Sequence, residues 1–190
     1  MPDQRSQPAG RLYQSILRDA YDRLPAQIQA IHNVTTSVEA SGRASVKGGS
    51  NLIARTIARA FRFPTPADDV RIHVRLAREN NLEHWTRTFG QKQFRSTQEI
   101  GQGRNAGLLV ERFGPFAFGL ALTAKGNELH LIVRRWSVFG VPMPLRIAPW
   151  SKSYECVEND RFTFSVDIGL PLVGRLVHYR GWLEPDIQTS

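Results

Sequence analysis

The most informative run of alternating apolar and polar positions is Ala106–Ser137, AGLLVERFGPFAFGLALTAKGNELHLIVRRWS. It reads as three antiparallel strands joined by two tight turns. Gly126-Asn127 is a two-residue hairpin signal between alternating runs, and Gly114-Pro115 is a weaker one. Counting outward from two-residue turns, Leu122 faces Leu131, Leu120 faces Val133 and Phe118 faces Arg135. On the other side of the central strand Phe113 faces Phe116, Glu111 faces Phe118 and Leu109 faces Leu120. Side chains alternate, so these residues share one face, with Glu111 and Arg135 embedded among leucines and phenylalanines. A carboxylate and a guanidinium on a core face must pair, bind something or mark an open cavity.

The rest of the chain divides at about residue 69 by period. Before it, Arg11–Leu24 places Leu12, Ile16, Leu17, Ala20, Tyr21 and Leu24 at helical spacing, and Pro25 opens a second short helix with Ile28 and Ile31. Val38–Val46 alternates as a first strand, and Ser50 caps a third helix, Asn51–Arg62, which stops at Phe63-Pro64-Thr65-Pro66. From Asp69 the period is two. Val70–Leu76, Trp85–Phe89 and Gln93–Ile100 precede the three-strand run, with turns at Asn80-Asn81 and Gly90. Val141-Pro142-Met143-Pro144 breaks pairing and leaves Leu145–Pro149 as a short edge piece. Tyr154–Val157, Phe162–Ile168 and Arg175–Leu183 follow. The expected fold is α+β: N-terminal helices, then a long antiparallel β-meander of about ten strands that curls into a barrel or half-barrel. Residues 10–185 are expected to form a single domain, with 1–9 a disordered lead and 186–190 a tail.

Composition narrows the function classes. The 190 residues are 41% hydrophobic and 22% charged, ordinary for a globular domain, and carry a formal charge of +8. Most of the cations are arginines, which are scattered and interleaved with acids in no dense basic tract; no nucleic-acid partner is expected. A single cysteine, Cys156, excludes an internal disulfide and fits a reducing compartment. The polar N-terminus has no signal-peptide core and no run is long enough to cross a bilayer, so the expected location is cytoplasmic. The five histidines lack metal-ligand spacing, so no metal is expected. Gly101-Gln102-Gly103 with Gly107 precedes a strand rather than a helix and is no dinucleotide fingerprint, so no cofactor is expected.

Three groups of residues could carry a function. Glu111 and Arg135 flank Phe118 and are either an ion pair at the rim of the core or a polar anchor in an apolar cavity. The last strand mixes His178, Arg180 and Trp182 with Val177, Tyr179 and Leu183. Either the first set lines a cavity, or it is solvated while the second set forms the core. Lys47-Gly48-Gly49-Ser50, before the third helix, is either an anion cradle or a plain strand-to-helix turn. Arg55, Arg59 and Arg62 make a basic stripe on that helix, solvated or docked on an anionic membrane or acidic protein.

The segments Gly42-Arg43-Ala44-Ser45-Val46, Glu111-Arg112-Phe113-Gly114-Pro115, Arg134-Arg135-Trp136-Ser137, Ser153-Tyr154-Glu155 and Tyr179-Arg180-Gly181-Trp182-Leu183 resemble, in that order, an uncharacterised bacterial domain-of-unknown-function family. The resemblance covers roughly residues 11–185. It implies a domain sometimes fused to short-chain or saccharopine-dehydrogenase-type oxidoreductase modules, and no catalytic residue. The reading reached from sequence is a non-enzymatic binding domain for an apolar or amphipathic carboxylate. Arg135 and Arg180 hold the anionic end, Glu111 sets the geometry, and Phe118, Leu120, Leu131 and Val133 line the apolar part. The alternatives are a substrate-binding or catalytic partner of a separate oxidoreductase, with Glu111 and His178 as acid and base, and a basic interaction module.

Overall fold

The computed structural model describes residues 11–186. The expected lead at 1–9 and the tail residues 187–190 lie outside that range. Eleven strands run in chain order: β1 Ser37–Gly48, β2 Ala67–Glu79, β3 Leu82–Phe89, β4 Lys92–Ile100, β5 Leu109–Phe113, β6 Phe116–Lys125, β7 Glu128–Val138, β8 Val141–Pro142, β9 Trp150–Glu158, β10 Arg161–Leu170 and β11 Gly174–Pro185. Ten of them close on themselves in the order β6-β5-β4-β3-β2-β1-β11-β10-β9-β7 and back to β6, and β8 pairs with the end of β7 on the edge opposite β6, the edge that faces β9. Closure removes the edges that an open meander would expose. Every pairing is antiparallel, and two-residue hairpins at Asn80-Asn81, Gly90-Gln91, Gly114-Pro115, Gly126-Asn127 and Asn159-Asp160 set the register. Gly114 and Gly126 take positive φ at the first turn position, where glycine meets no Cβ penalty.

The helices are short. They are α1 Leu12–Leu17, α2 Ala26–His32 and α3 Leu52–Ala60, so the expected α+β balance gives way to a β-barrel with helical caps. The long N-terminal helix breaks at Arg18, whose φ of 52° is outside the helical range, and continues as a 3-10 turn over Arg18–Ala20. Pro25 stands before α2, as its N-cap, rather than within it. Asn51, not Ser50, caps α3: its side chain accepts from the Ala54 amide at 2.8 Å. Leu145–Ile147 is a 3-10 turn, and the edge strand is Val141–Pro142 instead. No helix among the described residues is long and apolar enough to cross a membrane.

Because the strands alternate in direction, each end of the barrel has its own set of links. One end carries α1 and α2, which pack on β4, β6, β9 and β10 and close it with Tyr13, Ile28, Ile31 and His32, all buried. The other end carries α3 and the turns after β3, β5, β7 and β10. Gly49, just before α3, has no room for a side chain. A Cβ there would lie 2.4 Å from the Arg175 carbonyl oxygen and 2.5 Å from the Ala54 Cβ, so glycine lets α3 seat against β11. The wall has a weak seam: β7 and β9 are laddered only from Leu129 to Leu131 opposite Ser153 to Glu155, at the helix-plugged end. Toward α3 the same edge of β7 pairs instead with β8, Ser137 and Val138 opposite Pro142 and Val141.

Candidate functional site

A β-bulge decides which side chains of β7 enter the barrel. Leu122–Leu131 and Leu120–Val133 pair as counting from the turn predicts, but Gly119 then opposes Arg135 and Phe118 opposes Trp136. Arg134 is the extra residue, and from there the alternation reverses. The expected placement of Arg135 on the core face opposite Phe118 is therefore corrected. Trp136 turns inward and stacks on Phe118, with ring centroids 6.4 Å apart and 7° between planes. Arg135 is exposed and lines an outer groove of about 660 Å³ with Arg104 and Arg134 over the small residues Ala117 and Gly119.

Inside the barrel is a cavity of about 400 Å³. Its wall toward α3 is apolar: Ile57 of α3 and Phe61 just after it, Phe113, Phe116, Phe118, Leu120, Leu131, Val133 and Trp136 from β5 to β7, and Val166, Ile168 and Leu170 from β10. Toward the helical plug the lining turns polar, with Tyr13, Arg87, Gln98, Glu111 and Glu155. Among the described residues Arg87 is the one cation of the lining.

Adjacent strands β3, β4 and β5 bring Arg87, Ser96 and Glu111 to one face. Arg87 donates through Nη1 to Ser96 Oγ at 2.9 Å and through Nη2 to Glu111 Oε1 at 3.1 Å. Ser96 Oγ donates to the same carboxylate oxygen at 2.6 Å. The guanidinium carbon lies 4.6 Å from the centre of the Trp85 ring and 5.5 Å from that of Phe94. Glu111 thus faces Phe118 as expected, but its cation is Arg87. Gln98 accepts from the Tyr13 hydroxyl at 3.2 Å. Burial foremost pushes Tyr13 upward and Tyr179 up to about 12, so both are neutral phenols across the physiological range.

Behind this lining a second buried pair joins plug to wall. His32 Nε2 lies 2.6 Å from Glu155 Oε2, and the imidazole stacks on Tyr13 at 3.7 Å. Glu83, directly opposite Gln98 across the β3–β4 pair, is 1% exposed; neither oxygen makes a hydrogen bond of good geometry, and the Trp85 side chain and the Leu12 backbone approach it. Burial holds its carboxyl above the usual range, against a smaller opposing pull from His32.

The remaining candidates lie elsewhere. Val177, Tyr179 and Leu183 of β11 are buried in the core, so His178, Arg180 and Trp182 take the outer face and do not line the cavity. His178 is 3.3 Å from Ser165 Oγ, and burial pushes its imidazole below the usual value. Arg180 pairs with Glu158, and Arg161 lies over the Trp182 ring at 4.3 Å. Glu111 and His178 therefore point to opposite sides of the wall and cannot share a substrate. In the Lys47-Gly48-Gly49-Ser50 turn, Lys47 and Gly48 end β1, the Gly49 amide is spent on the Leu176 carbonyl at 3.1 Å, and the Ser50 carbonyl accepts from Arg55. Cys156 is a free buried residue whose thiol burial pushes up. Sequence reading missed Arg87, Gln98, Tyr13 and Glu155. The signal for Arg87 was present, since it alternates in phase with Trp85 and Phe89, two residues of a core face.

The crystal structure of Rv2717c from M. tuberculosis is similar at a TM-score of 0.46 and 13% identity, over 86% of this chain and 99% of that one. No curated protein matches the chain. The family model described as "Domain of unknown function (DUF4166)" matches residues 24–183, most of the barrel and its second helical cap, and the chain belongs to that family.

Proposed function

We propose that this barrel is a non-enzymatic binding domain that holds one apolar or amphipathic small molecule in its interior. The observation that carries the reading is the cavity itself. A closed barrel of this size can fill its interior with side chains, yet this one keeps about 400 Å³ open behind an aromatic and aliphatic wall. That volume falls within the range of about 300–1,000 Å³ common to small-molecule sites, and the few polar groups converge at one end.

The chemistry of that end selects the ligand class. Arg87 is neutralised by Glu111, and Glu155 is partnered by His32. An anion would have to displace Glu111 or sit beside it as a like charge. The neutral phenols and Gln98 instead suit an uncharged polar end, such as a hydroxyl, ketone or ester, which accepts from Arg87 or donates to Glu111. The carboxylate-bearing ligand expected from sequence depended on Arg135 and Arg180, which stand outside the cavity. The ligand's apolar body would lie against Phe118, Leu131 and Trp136 and point toward α3. Service to a separate oxidoreductase would use the domain as a carrier and asks no acid–base pair of it. A reducing, cytoplasmic setting suits the free Cys156.

Native mass spectrometry of the protein purified from its own host tests the proposal. The expected result is a retained lipophilic molecule without an ionised group. A chain that carries nothing, and takes up no neutral lipophilic compound when offered one, would overturn it.

A further inference from the structure

Nine large apolar side chains are exposed among the described residues, and seven of them stand at the α3 end of the barrel. Leu52 and Ile53 project from α3, 76% and 63% exposed. Leu172 tops the β10–β11 turn, which the Asn51 side chain ties to α3 through the Val173 carbonyl at 2.8 Å. Phe139 and Val141 flank the β7–β8 turn, and the Phe139 amide donates to Pro115 in the β5–β6 turn at 2.8 Å. Leu145 and Ile147 follow on the link into β9. Four of the seven therefore stand on β8 and the links beside it, between the ends of β7 and β9, and Trp136, Pro149 and Ser151 line the cavity there.

Charge follows the same geography. The links at this end, residues 47–66, 90–92, 114–115, 139–149 and 171–173, contain Lys47, Arg55, Arg59, Arg62, Lys92 and Arg146 and no acidic residue. The nearest acids are Asp68 and Asp69 at the start of β2, and Asp69 is paired with Arg43. A rim of separate, protruding apolar side chains interleaved with arginines is unlike a flat protein–protein patch. It matches the boundary of a bilayer, where apolar side chains enter the acyl region and cations meet anionic headgroups.

We infer that the α3 end of the barrel docks on an anionic membrane surface, presenting β8 and the links beside it to the lipid phase so that a lipophilic molecule passes between bilayer and cavity. The purpose of the docking rests on the cavity reading; the surface itself does not. The test is co-sedimentation of the 190-residue chain with phosphatidylcholine vesicles, with and without on the order of 30% phosphatidylglycerol. A parallel titration follows a neutral lipophilic dye, N-phenyl-1-naphthylamine, without vesicles. The chain is expected on anionic vesicles only, and to be released at about 1 M salt, where screening acts within roughly 3 Å. Arg55→Gln with Arg59→Gln, and separately Ile53→Ser with Leu172→Ser, should each weaken vesicle binding about ten-fold or more while dye uptake is unchanged. All four residues are exposed, so the fold is not at stake. Dye uptake without vesicle binding overturns the docking and leaves the cavity reading standing. Vesicle binding without dye uptake supports the docking and removes the cavity reading. If the rim variants instead dissociate a dimer and the chain ignores vesicles, the rim is a self-association surface and the inference fails.

Discussion

Two charged residues in neighbouring environments make opposite demands. Arg87 is nearly enclosed and tied to Ser96 and Glu111, whereas Arg135, the eighth residue past the Gly126-Asn127 turn, stands in the open. Arg87→Met leaves the Glu111 carboxylate buried without its cation and should cost about 3 kcal/mol in urea unfolding. Arg135→Met removes no described partner and should stay within about 0.5 kcal/mol. Equal costs would mean that the register past the bulge is wrong. Glu83 gives a pH signature. Its folded carboxyl holds a proton to higher pH than in the unfolded chain, so its contribution is retained in acid and lost as pH rises above the ordinary carboxylate range. Glu83→Gln should therefore be more stable than the parent at about pH 8, by roughly 1–2 kcal/mol, with the gap narrowing toward about pH 4. Thermal melts across that range check the sign.

At the scale of elements, the hairpins were legible and the bulge was not. Phe113–Phe116, Glu111–Phe118 and Leu109–Leu120 pair as the Gly114-Pro115 turn requires, and Leu122–Leu131 as Gly126-Asn127 requires. Turn chemistry is local, so sequence carries it. The choice at Arg134 is not local: it is settled by whether a guanidinium or an indole goes into the barrel, and burying Trp136 against Phe118 avoids an unpaired internal charge. Helix lengths failed for a related reason. The apolar residues of Arg11–Leu24 keep helical spacing, but closing the barrel end over Tyr13 and His32 requires the chain to turn at Arg18. The glycines before α3 looked like an anion cradle because glycine marks both close packing and open amides. The crowding at Gly49 identifies packing. Gly49→Ala should cost about 1–3 kcal/mol and raise amide exchange across α3 before the rest of the barrel. Hydrogen exchange followed by mass spectrometry resolves the two.

For the whole molecule, the barrel was foreseeable as one of two outcomes, because strand count and short links favour curling but leave closure to pairings between residues far apart in sequence, such as β1 with β11 and β6 with β7. The cavity was legible only as a suspicion attached to Glu111. The residues that give it a polar end come from α1, β3, β4, β5 and β9, and no local pattern links Tyr13 to Gln98 or His32 to Glu155. The same closure sorts the surface, with a buried helical plug at one end and an apolar, cationic rim at the other. The interior, read as a ligand site, should prefer an uncharged lipophile. Calorimetric or fluorescence titration with neutral N-phenyl-1-naphthylamine, beside the anionic dye 1-anilinonaphthalene-8-sulfonate, tests it most directly. Leu131→Trp, which fills the cavity wall, is compared with Ile132→Trp on the outer face. One site per chain is expected, tighter for the neutral dye, abolished by Leu131→Trp and kept by Ile132→Trp; uptake unaffected by Leu131→Trp, or a preference for the anion, would overturn the ligand-site reading.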